Sequence, residues 1–279
     1  MVRVRLLSVL MALAVFGAAC GSGAAPESDA IAGPVETTTT ISVETTTTIT
    51  DATTDTITPT TVAPITTTTV RPPDLHETFV ATLKPEVELL AAFDEPDGDP
   101  VQFEFAVTNP TYFGNELVLM ITERTPDGEW LKVQIPVRPN GTEAWIPSND
   151  AVISSHHIRA EVNLNNRSVK VWDAEELIAE TGAVVGAAAS PTPLGRFFVN
   201  DIVEKWDGSA YGPYILSLSA FSEAMETFGG GVPVIAIHGT NRPGLIGGAH
   251  SNGCIRIPND AIEFLAATVP MGTPVDISA

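Results

Sequence analysis

Residues 35–70 are dominated by threonine, with Pro59, Pro64 and scattered acids but neither an aromatic residue nor a glycine. The run Val35-Glu36-Thr37-Thr38-Thr39-Thr40-Ile41 returns as Val43-Glu44-Thr45-Thr46-Thr47-Thr48-Ile49. A low-complexity tract of this kind buries too little apolar surface to offset its chain entropy, and residues 21–74 are expected to form a disordered linker. At roughly 3 Å per residue, some 50 residues reach at most about 150 Å. The folded part must therefore come from residues beyond about 74, enough for one or two modest domains.

Ahead of the tract, Met1-Val2-Arg3-Val4-Arg5 and the apolar run Leu6 to Phe16 have the charge and length of a signal peptide, too short for a membrane span. The leader closes on Gly17-Ala18-Ala19-Cys20, which resembles a bacterial lipobox, so residues 1–20 are expected to be a signal peptide with Cys20 as a lipidation site. A plain secretory signal with an incidental cysteine is the alternative. Either way the chain is expected to be exported, to the outer face of the cytoplasmic membrane or the cell wall, anchored there if acylated. A net charge of −20 argues against nucleic acid and an anionic membrane surface as partners. Cys20 and Cys254 have separate explanations and make no disulfide framework.

Residues 75–150 read as a small β module of SH3-like or sandwich type. Gln102–Val107 alternates apolar and polar residues, Leu117–Thr122 has a buried-strand pattern, and Thr125-Pro126-Asp127-Gly128 is a turn leading into Trp130–Ile135. Arg138-Pro139-Asn140-Gly141 makes another turn before Glu143–Ile146. Trp130 and Trp145 are read as core, with a binding groove as the alternative. Residues 151–279 form a second region, in which Asn165-Asn166-Arg167 joins two strands as a hairpin. Further on, Phe197–Val203 is a strand, Ser222–Phe228 a short helix and Val234–Ile237 a fully buried strand delivering His238. Asn259-Asp260 caps a last helix over 261–267. The whole is mainly β with short helices.

The chemistry concentrates in the segment from Ile237 to Ile257, which holds the only cysteine outside the leader and two of the five histidines. A thiol needs a base within reach to become a nucleophile. The glycine before Cys254 lets backbone N–H groups approach a reacting carbonyl, and the Arg256 fork suits a carboxylate. His238, His250 and Cys254 are also a conceivable zinc set, but no fourth ligand is evident and the spacing fits no familiar structural site. His76 and the pair His156-His157 read as surface or linker residues. A buried structural role is the alternative for Cys254, and a satisfied core histidine for His238.

The run His238-Gly239-Thr240 through Ser251-Asn252-Gly253-Cys254-Ile255-Arg256 resembles the signature of the YkuD-like L,D-transpeptidase catalytic domain. The histidine precedes the cysteine by sixteen positions (254 − 238). Thr192-Pro193-Leu194-Gly195-Arg196-Phe197, Gly212–Ser219 and Val269–Val275 are similar to further family segments. The resemblance implies a β-sandwich-like catalytic fold, Cys254 as nucleophile and His238 as base. It also implies a supporting or oxyanion role for Gly253, Asn252 and Ser251, and substrate contacts from Arg256, Tyr214, Gly239, Thr240 and His250. The implied substrate is the stem peptide of peptidoglycan, with a Cys254 thioester, release of D-alanine, 3→3 cross-links, acylation by carbapenems, and neither cofactor nor metal. Asn252 stands where the family usually has a histidine; it can donate a hydrogen bond but cannot titrate. Hydrolysis of the same thioester, giving an L,D-carboxypeptidase, and a wall-binding lipoprotein that has lost catalysis are the alternatives.

Overall fold

The computed structural model describes residues 76–206 and 208–279. The leader, Cys20 and the threonine tract lie outside the described residues. Among those described, no helix is long and apolar enough to cross a membrane.

The first sheet contains β1 (Thr78–Leu83), β2 (Val118–Arg124), β3 (Trp130–Gln134), β4 (Glu143–Pro147) and β5 (Ala151–His156). The order β4-β3-β2-β1-β5 is antiparallel throughout. A single 3₁₀ turn, Ser148–Asp150, redirects the chain so that β5 returns to pair with β1, an SH3-like arrangement. Gly128 takes a φ of +76° in the β2–β3 turn and donates its N–H to Thr125 at 2.9 Å, as the turn chemistry requires. Trp145 is buried in this module, and Trp130 sets its edge against Phe93 at 5.3 Å. The sheet runs on to His156, six residues beyond the 150/151 division read from sequence.

Gln102–Val107 does not form the expected strand. Phe103 and Phe105 do face the core while their neighbours are exposed, so the alternation is real. The segment nevertheless forms no ladder: the Val107 carbonyl accepts the Leu90 N–H, and isolated bridges lie only at its flanks, Leu89 with Thr108 and Phe93 with Pro100. Proline at 100 and 110 removes ladder donors at both its ends.

The second sheet is built from β6 (Ile158–Asn163), β7 (Ser168–Asp173), β8 (Glu176–Gly182), β10 (Gly195–Glu204), β11 (Tyr214–Phe221), β12 (Val234–His238), β14 (Ile255–Arg256) and β15 (Pro274–Ser278). Its order is β14-β12-β11-β10-β15-β6-β7-β8. Only β12–β14 and β15–β6 are parallel. Two short strands, β9 (Val185–Gly186) and β13 (Ala249–Ser251), pair separately.

β10 joins two halves of this sheet, pairing through Gly195–Phe198 with β15 and through Val199–Glu204 with β11 across a register shift. The sheet therefore curls over one core. Val162 and Val171 from one half meet Leu216 and Ile237 from the other, and Ile262 and Leu265 of helix α1 (Asn259–Thr268) complete it. Successive strand residues face opposite sides. Phe197 accordingly enters this core and Phe198 enters the core of the first sheet. β10 is thus a wall common to both cores.

Ser222–Phe228 forms bends rather than the expected helix. Asn140 holds Phe221 on both sides, accepting from its N–H and donating to its carbonyl at 2.8 Å each, and Ser222 donates to the Pro233 carbonyl. The chain entering the segment is thereby tied to distant residues, and Phe228 at its end closes a turn with Gly231. His156 and His157 are not surface residues: their Nε2 atoms are buried, and burial pushes His156 below the usual histidine range.

Candidate active site

β12 ends on His238, which is 3% exposed. Its Nδ1 lies 2.6 Å from the Gly239 carbonyl oxygen. A carbonyl can only accept, so Nδ1 carries the proton and Nε2 keeps its lone pair, the tautomer a general base needs. Burial pushes the imidazole down to about 4. The Gly239 carbonyl opposes this, the Arg256 charge adds to it, and the Tyr211 backbone opposes it weakly. The Tyr211 ring meets the imidazole edge-on at 4.9 Å.

The turn after His238 is fixed by close backbone approach. Gly212 has a φ of +68°, and a Cβ there would lie 2.5 Å from Gly239 Cα. Asn259 Oδ1 accepts the Thr240 N–H at 2.8 Å, and Thr240 Oγ1 accepts the Arg242 N–H. Asn259 was expected to cap the last helix. It is instead the helix's first residue, with Pro258 at the cap position and no side-chain cap, because its amide oxygen serves the Thr240 turn.

Cys254 lies just before β14, whose parallel register sets Ile255 beside Ile237 and Arg256 beside His238. Cys254 therefore stands level with Ala236, on the face of β12 that Ala236 shares with His238, about 6.6 Å along the strand from it. The half-buried thiol is unpaired, with Sγ 4.0 Å from the Val234 carbonyl oxygen. Burial pushes its pKa up, against the Ala236 backbone and the Arg256 charge. The resting pair is a neutral thiol and a neutral imidazole.

The turn carrying the thiol is built from buried hydroxyls. Ser251 Oγ donates to the Cys254 carbonyl at 2.5 Å and accepts the Gly253 N–H at 3.2 Å. Thr192 Oγ1 donates to the Gly253 carbonyl at 2.7 Å and accepts the Gly186 N–H at 2.9 Å. Gly253 has a φ of +111°, and a Cβ on it would meet Ile235 Cδ1 at 2.7 Å. The Gly253 N–H is thus spent on Ser251, while the Ala236 backbone reaches the thiol from β12.

Arg256 is partly buried, with its Nε buried and without a hydrogen-bond partner. Its backbone is clamped to Val184 in both directions. Asn252 is exposed at the tip of the turn, and His250 is exposed in the middle of β13, not on a loop, with its ring over Gly248. Tyr214 packs partly buried against the core and accepts the Gly239 N–H at 3.4 Å. Gly239 and Thr240 are buried under the His238 turn. Among the described residues, no three His, Cys, Asp or Glu side chains converge as metal ligands.

Three residues at the site were not singled out from sequence. Thr192 lies 61 positions from the carbonyl it holds, and only its place in the T-P-x-G element gave a signal. Asn259 carried a local signal for a cap. Tyr211 carried none.

A curled β-sheet sets a cysteine turn beside a histidine-ended strand, with its own hydroxyl framework, so the site holds the two residue types that thiol chemistry uses. Residues 157–277 match the model of the YkuD family, the L,D-transpeptidase catalytic domain. The protein named L,D-transpeptidase YkuD in Bacillus licheniformis is 36% identical over 120 residues, covering 43% of this chain and 65% of that protein. Its namesake in Bacillus subtilis is 36% identical over 117 residues, covering 42% and 58%. The chain thus spans less than two thirds of the length of either relative. A crystal structure of an Enterococcus faecium L,D-transpeptidase mutant is 25% identical with a TM-score of 0.34, covering 43% of this chain and 49% of that one.

Proposed function

We propose that the protein is an exported peptidoglycan L,D-transpeptidase, anchored through Cys20, that forms 3→3 cross-links. The observation that carries this reading is the strand register that sets a turn-mounted thiol on the same strand face as an imidazole whose Nδ1 meets the Gly239 carbonyl. A rotation of the thiol away from Val234 and towards His238 begins the reaction. Nε2 takes the thiol proton as Sγ attacks the carbonyl between the third stem residue, a diamino acid, and the terminal D-alanine. The tetrahedral oxyanion is held by the Cys254 N–H, with Asn252 at the rim as a second donor. The C–N bond breaks, the proton on His238 passes to the leaving amine, and an S-acyl enzyme remains. The side-chain amine of a neighbouring stem then attacks the thioester, His238 takes its proton, and the thiol is restored. The partly buried Arg256 guanidinium, level with His238 in the strand register, supplies the cation for a stem carboxylate.

The test is the intact mass of the full chain after incubation with a disaccharide-tetrapeptide and, separately, with a carbapenem. Expected is an acyl adduct that Cys254→Ala lacks and His238→Ala loses or forms at least 10²-fold more slowly. A folded parent protein that gives no adduct overturns the proposal. Product analysis with an amine acceptor and with water separates cross-linking from carboxypeptidase activity.

A further inference from the structure

Four large aromatic side chains stand in water: Tyr112 (93% exposed), Phe113 (48%), Trp206 (73%) and Tyr211 (38%). They come from two segments far apart in sequence. The turn carrying Tyr112 and Phe113 is closed by the Thr111 N–H on the Asn115 carbonyl. It is then fastened to β10, where buried Asp201 accepts from Thr111 Oγ1 at 2.5 Å and Asn115 Nδ2 at 3.0 Å. The second segment leaves β10 at Lys205, whose N–H donates to the Pro213 carbonyl at 2.7 Å, and carries Trp206 and Tyr211. Lys205 Nζ lies 6.0 Å from the Phe113 ring centre and 5.9 Å from that of Trp206, so one ammonium bridges the two segments.

Polar bonds hold both segments in place, and the Tyr112 and Trp206 rings contribute almost no burial to the fold. Flat rings left in water and mounted together mark a binding surface. The second segment also reaches the chemistry, since its Tyr211 ring touches His238.

We infer that this platform binds the glycan strand that carries the stem peptide, an amino-sugar polymer; the inference rests on the proposed reaction at Cys254. A pyranose ring offers an apolar C–H face to an aromatic ring while its rim of hydroxyl and amide groups stays wet, which suits an exposed platform. A charge of −20 disfavours an anionic lipid surface, and equally a second copy of this chain.

The experiment has two arms, both with the full chain. In the first, affinity is measured for wall glycan stripped of its stems by an amidase. Trp206→Ala and Tyr112→Ala are each expected to weaken binding at least fivefold, and Cys254→Ala to leave it unchanged. In the second, acylation is followed with a free tetrapeptide and with the same stem attached to a glycan oligomer. The two aromatic variants are expected to slow only the glycan-linked donor, with circular dichroism unchanged. Undiminished glycan binding by both variants overturns the platform, as does binding of anionic lipid vesicles in place of glycan. Absence of acylation by either donor, with aromatic-dependent glycan binding retained, overturns the reaction and leaves the platform standing.

Discussion

An unfolded chain protonates its histidines near pH 6.5, whereas buried His238 holds its proton off until about pH 4. Between those values the unfolded state binds the extra proton, so stability falls as pH drops through that window and levels off below it. The interval corresponds to about 3 kcal/mol. Urea denaturation from pH 7 to pH 4 should show that loss, and His238→Gln should flatten it. The same displacement keeps the base neutral throughout the physiological range, so the acylation rate should keep a plateau down to about pH 4 and fall below it. Cys254 is displaced the other way. Alkylation by iodoacetamide at pH 7 should be slower than for an exposed thiol and should climb steadily above pH 9, because only the thiolate reacts. At Gly253 the φ of +111° and the short approach to Ile235 make Gly253→Ala cost about 2 kcal/mol, measured by thermal unfolding.

The elements that present these residues were unevenly legible. The run Val234–Ile237 announced a strand because every residue in it is apolar, but Val234 is 37% exposed, so the strand is buried only from Ile235 on. Asn165-Asn166-Arg167 announced a hairpin between two strand-like runs, and the structure forms it with Arg167 at a φ of +52°. Local patterns failed where the partner lies far away. Gln102–Val107 alternates, yet its neighbours supply no continuous ladder, and Ser222–Phe228 has helix-compatible residues whose flank is held by Asn140. The cysteine turn was visible through its glycine, but the hydroxyl under it was not, since nothing local ties Thr192 to Gly253. Thr192→Val keeps the shape and removes both hydrogen bonds. It should cost about 1–3 kcal/mol and slow acylation, while Thr192→Ser restores both. At the other end of the site, Gly212→Ala drives a Cβ into the Gly239 backbone and displaces the His238 turn. Acylation should fall on the order of 10²-fold, read by single-turnover mass spectrometry.

At the scale of the molecule the two sheets share more than a border. Phe198 of the second sheet is fully buried in the first sheet's core, and a Cβ on Gly272 would strike Val80 of β1 at 2.5 Å. Gln134 at the end of β3 donates to the Arg196 carbonyl at 2.9 Å and accepts from Ser219 at 3.1 Å, and Ser219 in turn accepts the Phe198 N–H. Calorimetry should therefore show one transition for both sheets, and Phe198→Ala should lower it as a whole by about 3–5 kcal/mol rather than split it. The stretch of chain that matches a known family begins at residue 157, on the far side of the strands that cover Phe198. A fragment cut at that point would carry every reactive group of the site and would still expose the apolar back of β10 to solvent. Such a fragment is expected to self-associate, because what is inherited as a domain here is smaller than what folds.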